Sequence, residues 1–376
     1  MTTISRTIYL DAPSVGAAEK RYLNEAIDTG YVSSAGQFVP EFEKKFASYV
    51  GAETAVSTQS GTAALHMALH ECGIGKGDEI IVPALTFIAS VNPVIYVGAK
   101  PVFADVDDRT WNIDPDEIDR RITKRTKAIL PVHLYGNPCG MDRIMKIARK
   151  HSLYVIEDAT ESLGATYRGK HTGTFGDFGC FSFNGNKTIT TGGGGMVVGR
   201  DPKKLDHVRF LVNQAKDTAN SAYHPEIGFN YRMTNIEAAL GLAQFEKLNA
   251  FLEKKSSINS IYREELAAVE GIRFQEESSM SRSSYWFTCI VFENGIDVPL
   301  LQRRLKECGI PTRRTFIPVT EFPPYKGYKN GAYRHSYRIS SKGMCLPSST
   351  LNSRGDIAHA CSIIKSVLRT KEVMCS

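Results

Sequence analysis

One lysine, Lys187, sits where its surroundings would change the chemistry of an amine. Residues 179–198, GCFSFNGNKTITTGGGGMVV, read as a short apolar strand, a polar turn carrying the lysine, a glycine run and a second apolar strand. The turn offers no helical face on which the side chain could simply be solvated. A lysine withdrawn from water gives up its proton readily and becomes a nucleophile toward carbonyl carbon. The consecutive Gly192, Gly193, Gly194 and Gly195 let the backbone approach a bulky flat ligand or take positive φ angles. A surface lysine in a flexible hairpin has the same pattern, so this stretch alone leaves both readings open. No G-x-x-x-x-G-K-[ST] pattern is present, and the run is therefore not a nucleotide-binding P-loop.

A second stretch decides between them. Residues 153–165, LYVIEDATESLGA, form a buried-strand pattern that ends in acids, and open α/β sheets place their chemistry at the carboxyl ends of strands. A carboxylate beside a pyridinium nitrogen and a lysine that condenses with a carbonyl are the minimal set for pyridoxal phosphate. Asp158 would keep the ring nitrogen protonated, so that the ring absorbs electrons from a developing carbanion. An aspartate at a strand end is common for capping reasons; followed by the lysine and the glycine run, it becomes one of a catalytic pair, Lys187 and Asp158.

A phosphate site is readable further upstream. Residues 55–69, AVSTQSGTAALHMAL, hand a short strand over to Ser60-Gly61-Thr62 and then to an alanine-rich helix. Free N–H groups and the positive dipole end make such a helix start an anion site. Gly61 gives the turn room, Thr62 and Ala63 offer N–H groups, and the Thr62 hydroxyl adds a donor. On its own the tripeptide is an ordinary helix cap; beside the lysine and aspartate motifs it reads as a phosphate cradle.

These residues belong to longer ordered motifs: SGTAALH, TFIASVN, VHLYGNPCGMD, VIEDATESLGA, GTFGDFGCFSFNGNKTITTGGGGM and GFNYRMTNIEAALGLAQ. Through them nearly the whole chain resembles the DegT/StrS-type sugar-nucleotide aminotransferases, a pyridoxal-phosphate-dependent family of fold type I. The resemblance implies that Phe87 stacks on the pyridine face and that Glu161 and Ser182 complete the cofactor contacts. It implies that Asn230 reaches across a homodimer interface to the partner's cofactor phosphate. It also implies amino transfer from L-glutamate to C4 of a nucleotide-linked 4-keto-6-deoxy sugar, with GDP the expected nucleotide and UDP or dTDP the alternatives. Two rivals remain: a sugar dehydratase on the same fold, whose relatives carry histidine in place of the lysine, and a scaffold that keeps the fold without the chemistry. The family usually shows a histidine where this chain has Pro318-Val319-Thr320-Glu321, so its sugar and diphosphate contacts do not carry over in detail. Arg313 or Arg314 is expected to bind a carboxylate or diphosphate bidentately, or to be a solvated pair. His133 reads as a structural strand-end histidine more than as a base.

The elements that must position these groups alternate strand and helix over residues 54–200, which predicts an α/β fold with a mostly parallel sheet. No G-x-G-x-x-G follows the first strand, which counts against a dinucleotide-binding domain. Helices are expected over residues 14–29, with Ser14 as N-cap, and over 39–50, 115–122 and 299–308. Strands are expected over 127–135 and 285–292, and a polar loop over 217–226. With 376 residues, two domains are expected: a large cofactor-binding part over 1–250, like that of aspartate aminotransferase, and a smaller α+β part over 251–376. Hydrophobic content is 42% and charged content 23%, with 46 basic against 40 acidic residues giving +6. No basic block suggests a nucleic-acid groove. Eight scattered cysteines without a C-x-x-C pair argue against a zinc site and for reduced thiols. With neither a signal pattern nor a spanning apolar run, a soluble cytoplasmic protein is expected.

Overall fold

The structure is a computed structural model of the chain and describes residues 7–217, 219–220, 222–293, 295–370 and 373. Its centre is a seven-stranded sheet in the order Ala55–Thr58, Gly195–Gly199, Phe178–Ser182, Tyr154–Asp158, Thr126–Ile129, Glu79–Pro83, Lys100–Ala104. Pairings are parallel from Phe178–Ser182 to the Lys100–Ala104 edge, and Gly195–Gly199 runs antiparallel to both its neighbours. The sheet is therefore mainly parallel, as the strand–helix alternation predicts.

Successive side chains on a strand leave by opposite faces, and the core divides accordingly. Ile80, Val82, Ile156 and Val197 enter one apolar cluster together with Leu65, Met67 and Leu69 of the helix Gly61–Glu71. Met196 and Val198 point the other way, into a cluster with Phe42, Phe46, Phe183 and Leu242. Ile81, Ile129 and Val155 join a third cluster beside Met141 and Ile144 of the helix Met141–His151. The helix Gly61–Glu71 is apolar nearly all round and buried along its length, so its N-terminus is held rigidly against the sheet.

Residues after 270 form a second, antiparallel sheet, Ile272–Phe274, Cys289–Phe292, Gly343–Cys345, Arg313–Arg314, covered by the helices Val298–Glu307 and Arg354–Arg369. The 250/251 boundary falls inside the helix Leu248–Leu266. That helix gives Leu248 and Phe251 to the large part's core, and Ile258, Ile261, Tyr262 and Leu266 to the small part's. The N-terminal segment also crosses over. Ile8 packs in the small part's cluster, and Tyr9 exchanges two hydrogen bonds with Asn352.

Local expectations hold with three differences. The first helix runs Ala17–Asp28, and its N-cap is Gly16, not Ser14: the Gly16 N–H donates to the Glu19 carboxylate at 2.6 Å, a capping role that a glycine backbone fills equally well. The strand through Tyr135 stops at Ile129, and the chain folds into a short turn in which Tyr135 takes φ +56°. The strand expected from residue 285 begins only at Cys289, because Tyr285 has φ +47° and turns Trp286 toward the large part. No helix among the described residues is long and apolar enough to cross a membrane.

Candidate active site

A cleft of about 330 Å³ opens at the carboxyl ends of the parallel strands, where the two parts meet. Gly61, Thr62, Phe87, Asp158, Glu161, Ser182 and Lys187 all line it. Seven of the nine expected site residues are thus brought together from positions more than a hundred residues apart in the chain.

Asp158 ends its strand and is buried, and both carboxylate oxygens are fixed. Oδ2 accepts from Ser90 Oγ at 2.6 Å, itself 2.8 Å from Thr86 Oγ1, and Oδ1 accepts from the Thr160 N–H at 3.1 Å. Ser90 sits in the 3-10 turn Ile88–Ser90 that follows Phe87. The loop that presents the aromatic ring therefore also orients the acid. Phe87 is 53% exposed and flanks the cleft, with Phe316 5.6 Å away centroid to centroid. A phenylalanine held open at a cleft has a free face for a flat ring rather than a place in the core.

Lys187 lies in the turn between the strands Phe178–Ser182 and Gly195–Gly199, and its backbone N–H donates to the Asn184 carbonyl. Its Nζ sits 3.9 Å from the centre of the Trp286 ring. Trp286 is pinned in turn, its Nε1 donating to the Asn186 carbonyl at 2.7 Å. Loss of water depresses the Lys187 pKa; the nearby Glu161 and Asp158 charges pull it back up in part, and Arg313 lowers it again. The net shift is downward, in the direction of the free amine, the nucleophilic and basic form.

Glu161 is fully enclosed, and Oε2 accepts the Tyr135 N–H at 2.7 Å. Burial pushes this carboxyl up to about 7, with the charge of Lys187 the main opposing influence. Amine and acid are thus both moved toward their neutral forms by the same exclusion of water. The unusual backbone of Tyr135 is stabilised by its surroundings: its ring stacks on Trp286 and Phe316, and its hydroxyl accepts from the Phe316 N–H at 2.8 Å.

The helix start expected to hold a phosphate has a definite shape. Ser60 is the N-cap of the helix Gly61–Glu71, and its hydroxyl accepts from the Ala63 N–H at 3.1 Å. Ala63 is therefore occupied and lies behind the cleft, and the Gly61 and Thr62 amides are the ones left at the helix start. The glycines make this possible by close approach. A Cβ on Gly61 would lie 2.8 Å from Thr160 Cγ2 and 2.9 Å from Ser182 Cβ, and one on Gly195 would lie 2.6 Å from the Ser60 carbonyl. Gly194, at φ +99°, closes the turn from the lysine into the strand.

Asn230 is not in the cleft of its own chain. It is exposed and forms a backbone bridge with Asn213. His133 is wholly buried: Nδ1 accepts from the Cys139 N–H, which leaves the proton on Nε2, facing Glu157 at 3.0 Å. That is a structural role. Of the two arginines only Arg313 enters the cleft, while Arg314 is exposed. Ser90, Trp286, Phe316 and Asp11 do not stand out in the sequence, because each reaches the site by a contact distant along the chain; Thr160 and Asn186 lie two residues from Asp158 and one from Lys187, and their hydrogen bonds are what mark them.

The donor set suits pyridoxal phosphate. A half-buried amine with a lowered pKa faces a fixed carboxylate, an open aromatic face lies alongside, and a helix start free of side chains closes one end. The profile of the DegT/DnrJ/EryC1/StrS aminotransferase family matches residues 13–365. The GDP-perosamine synthase of Caulobacter vibrioides is 42% identical over 364 residues, covering 96% of this chain and 98% of that protein. The GDP-perosamine synthase of Escherichia coli O157:H7 is 41% identical over 352 residues, covering 94% and 96%. Among solved structures, a candidate sugar aminotransferase of Streptococcus pneumoniae, Spr1654 in its PLP form, superimposes with a TM-score of 0.93 at 26% identity, covering 97% of this chain and 99% of that one. The chain belongs to the DegT/DnrJ/EryC1/StrS aminotransferase family, and it is a transaminase.

Proposed function

We propose that the protein transfers the amino group of L-glutamate to C4 of a GDP-linked 4-keto-6-deoxy sugar, with pyridoxal phosphate as cofactor. It acts as a cytoplasmic homodimer in the making of amino sugars for a polysaccharide. The observation that carries the chemistry is the single cleft in which Lys187, Asp158 and the Ser60-Gly61-Thr62 helix start face one another. The likeness to two GDP-perosamine synthases supports the choice of sugar and nucleotide.

When bound, pyridoxal phosphate supplies a carbonyl that condenses with amines and a ring that takes up electrons from the carbon beside the nitrogen. The chain's residues do the rest. The Gly61 and Thr62 amides and the Thr62 and Ser182 hydroxyls hold the phosphate, and Phe87 covers one ring face. Asp158, fixed by Ser90 and Thr160, holds a proton at the ring nitrogen. Lys187, with its amine free, would take the proton from the donor's Cα, and in the second half it would deliver one to C4 of the sugar. Its depressed pKa suits both directions. Trp286 and Phe316 keep water from the amine. Asn230, exposed on its own chain, is available to a cofactor phosphate in a second copy, which supports a shared site.

The test is an assay of the cofactor-loaded protein with L-glutamate and a panel of GDP-, UDP- and dTDP-linked keto sugars, with products identified by mass spectrometry and NMR. A C4-aminated GDP sugar is expected. Amination of a UDP- or dTDP-linked sugar, or at C3, would redirect the substrate reading. A keto-deoxy sugar with released ammonia would overturn transamination.

A further inference from the structure

Arg313 is the one cation lining the cleft, among the described residues, that the chemistry above leaves unused. It lies on the two-residue strand Arg313–Arg314, paired antiparallel with Gly343–Cys345, Arg313 opposite Cys345. Side chains alternate along a strand, so one of the two arginines faces the cleft and the other leaves it. The Arg313 guanidinium lies 5.3 Å from the centre of the Phe287 ring. Its charge is felt by both Lys187 and Glu161. Its ionic partner is Asp11, with Oδ2 at 2.7 Å from Nη2, and the same oxygen accepts from Asn186 Nδ2 at 3.0 Å, one residue from the lysine.

The geometry points to Arg313 as the group that binds the α-carboxylate of the amino donor, with Asp11 as the anion that takes the guanidinium back when the sugar occupies the cleft. The inference rests on the transaminase reading above. A transaminase of this kind must admit in turn an amino acid, whose reacting carbon carries a carboxylate, and a sugar, whose reacting carbon stands a whole hexose ring from the nearest phosphate. A fixed cation beside Lys187 serves the first and is left unbalanced by the second. The Asp11 pair resolves this because it is exchangeable. The two side chains are 40% and 21% exposed, and Asp11 engages Arg313 through a single nitrogen. Partly exposed pairs of this kind hold weakly, whereas a carboxylate entering the cleft can take two guanidinium nitrogens in the fork geometry. Asn186 keeps Asp11 placed while the arginine is away.

The experiment follows the two half-reactions separately on cofactor-loaded protein by the absorbance of the bound cofactor. The amino donors are L-glutamate and its α-amide, which lacks the charge in question; the acceptor is the keto sugar nucleotide. Arg313→Gln is expected to slow the glutamate half by about 10- to 100-fold, the effect of losing hydrogen bonds to a charged group, and to leave the sugar half within a few-fold of wild type. The wild-type preference for glutamate over the α-amide is expected to collapse toward unity in Arg313→Gln and to return in part in Arg313→Lys. Asp11→Asn is expected to spare the glutamate half and weaken sugar binding. Equal loss in both halves, or an undiminished preference for glutamate in Arg313→Gln, would overturn the assignment. Wild-type protein that aminates no keto sugar from any donor would instead count against the proposed function.

Discussion

Replacing Gly195 by alanine tests how the phosphate cradle is built. Gly195 opens the strand Gly195–Gly199, opposite Ser182 on one side and Thr58 on the other. Its φ is not in the left-handed region, so alanine is acceptable to the backbone there, and space alone is at issue. The added Cβ would lie 2.6 Å from the Ser60 carbonyl carbon and oxygen and 2.7 Å from the Gly61 nitrogen. Backbone atoms cannot rotate away, so bringing 2.6 Å out to the 3.4 Å of ordinary contact displaces the helix start by about 0.8 Å. Overpacking of this kind costs about 1–3 kcal/mol. The larger effect falls on the ligand, because the displaced atoms are those that present the Gly61 and Thr62 amides. Hydrogen bonds to a charged group contribute about 1.5–3 kcal/mol each, so loss of one weakens phosphate binding about 10- to 100-fold. Gly193→Ala is the matched control: Gly193 also lines the cleft, yet a Cβ there meets nothing closer than 3.5 Å. The assay is equilibrium binding of pyridoxal phosphate by absorbance, with thermal unfolding of the cofactor-free protein alongside. Gly195→Ala binding like wild type, or Gly193→Ala equally damaged, would refute the argument.

Glu161 predicts a pH dependence. Burial pushes its carboxyl up to about 7, so between the ordinary carboxylate value of 4.5 and that point the folded chain keeps a proton the unfolded chain has lost. Its contribution to the stability of the cofactor-free protein is therefore full below about 4.5, falls as pH rises through 7, and is flat above; in Glu161→Gln the melting temperature should lose that decline, and a profile parallel to wild type would contradict it. Tyr135→Phe removes the acceptor of the Phe316 N–H. Leaving that amide unsatisfied should destabilise the chain by about 1–3 kcal/mol in denaturant titration, and a midpoint within error of wild type would show the bond to be unimportant. Asp158→Asn should slow removal of the donor's Cα proton, read by deuterium exchange, far more than it weakens cofactor binding; unchanged exchange would remove the aspartate from the chemistry.

The parts of the site carried by local pattern were legible in the sequence. Lys187 with its glycine run, Asp158 at the end of an apolar strand, and Ser60-Gly61-Thr62 before an alanine-rich helix are each a local pattern of about twenty residues or fewer, ambiguous singly and pointing to one site together. The lining supplied by the small part does not. Trp286 reads as one aromatic residue of a continuous strand, and only the left-handed backbone at Tyr285 breaks that strand and lays the indole against the lysine. Sequence could not choose between Arg313 and Arg314, because the choice depends on the register of a two-residue strand against Gly343–Cys345. Asp11 and Ser90 are invisible for the same reason, being meaningful only through partners 302 and 68 residues away. The first helix shows the converse error. A serine two residues too early has the side chain of a cap, while the backbone of Gly16 and the Glu19 side chain form it.

The most direct measurement is reduction of the cofactor-loaded protein with borohydride, followed by proteolysis and mass mapping of the pyridoxyl tag. A tag on Lys187 alone is the predicted result. A tag on another lysine, such as the buried Lys255 whose amine is committed to the Trp286 and Ser348 carbonyls, or no tag at all, would contradict it.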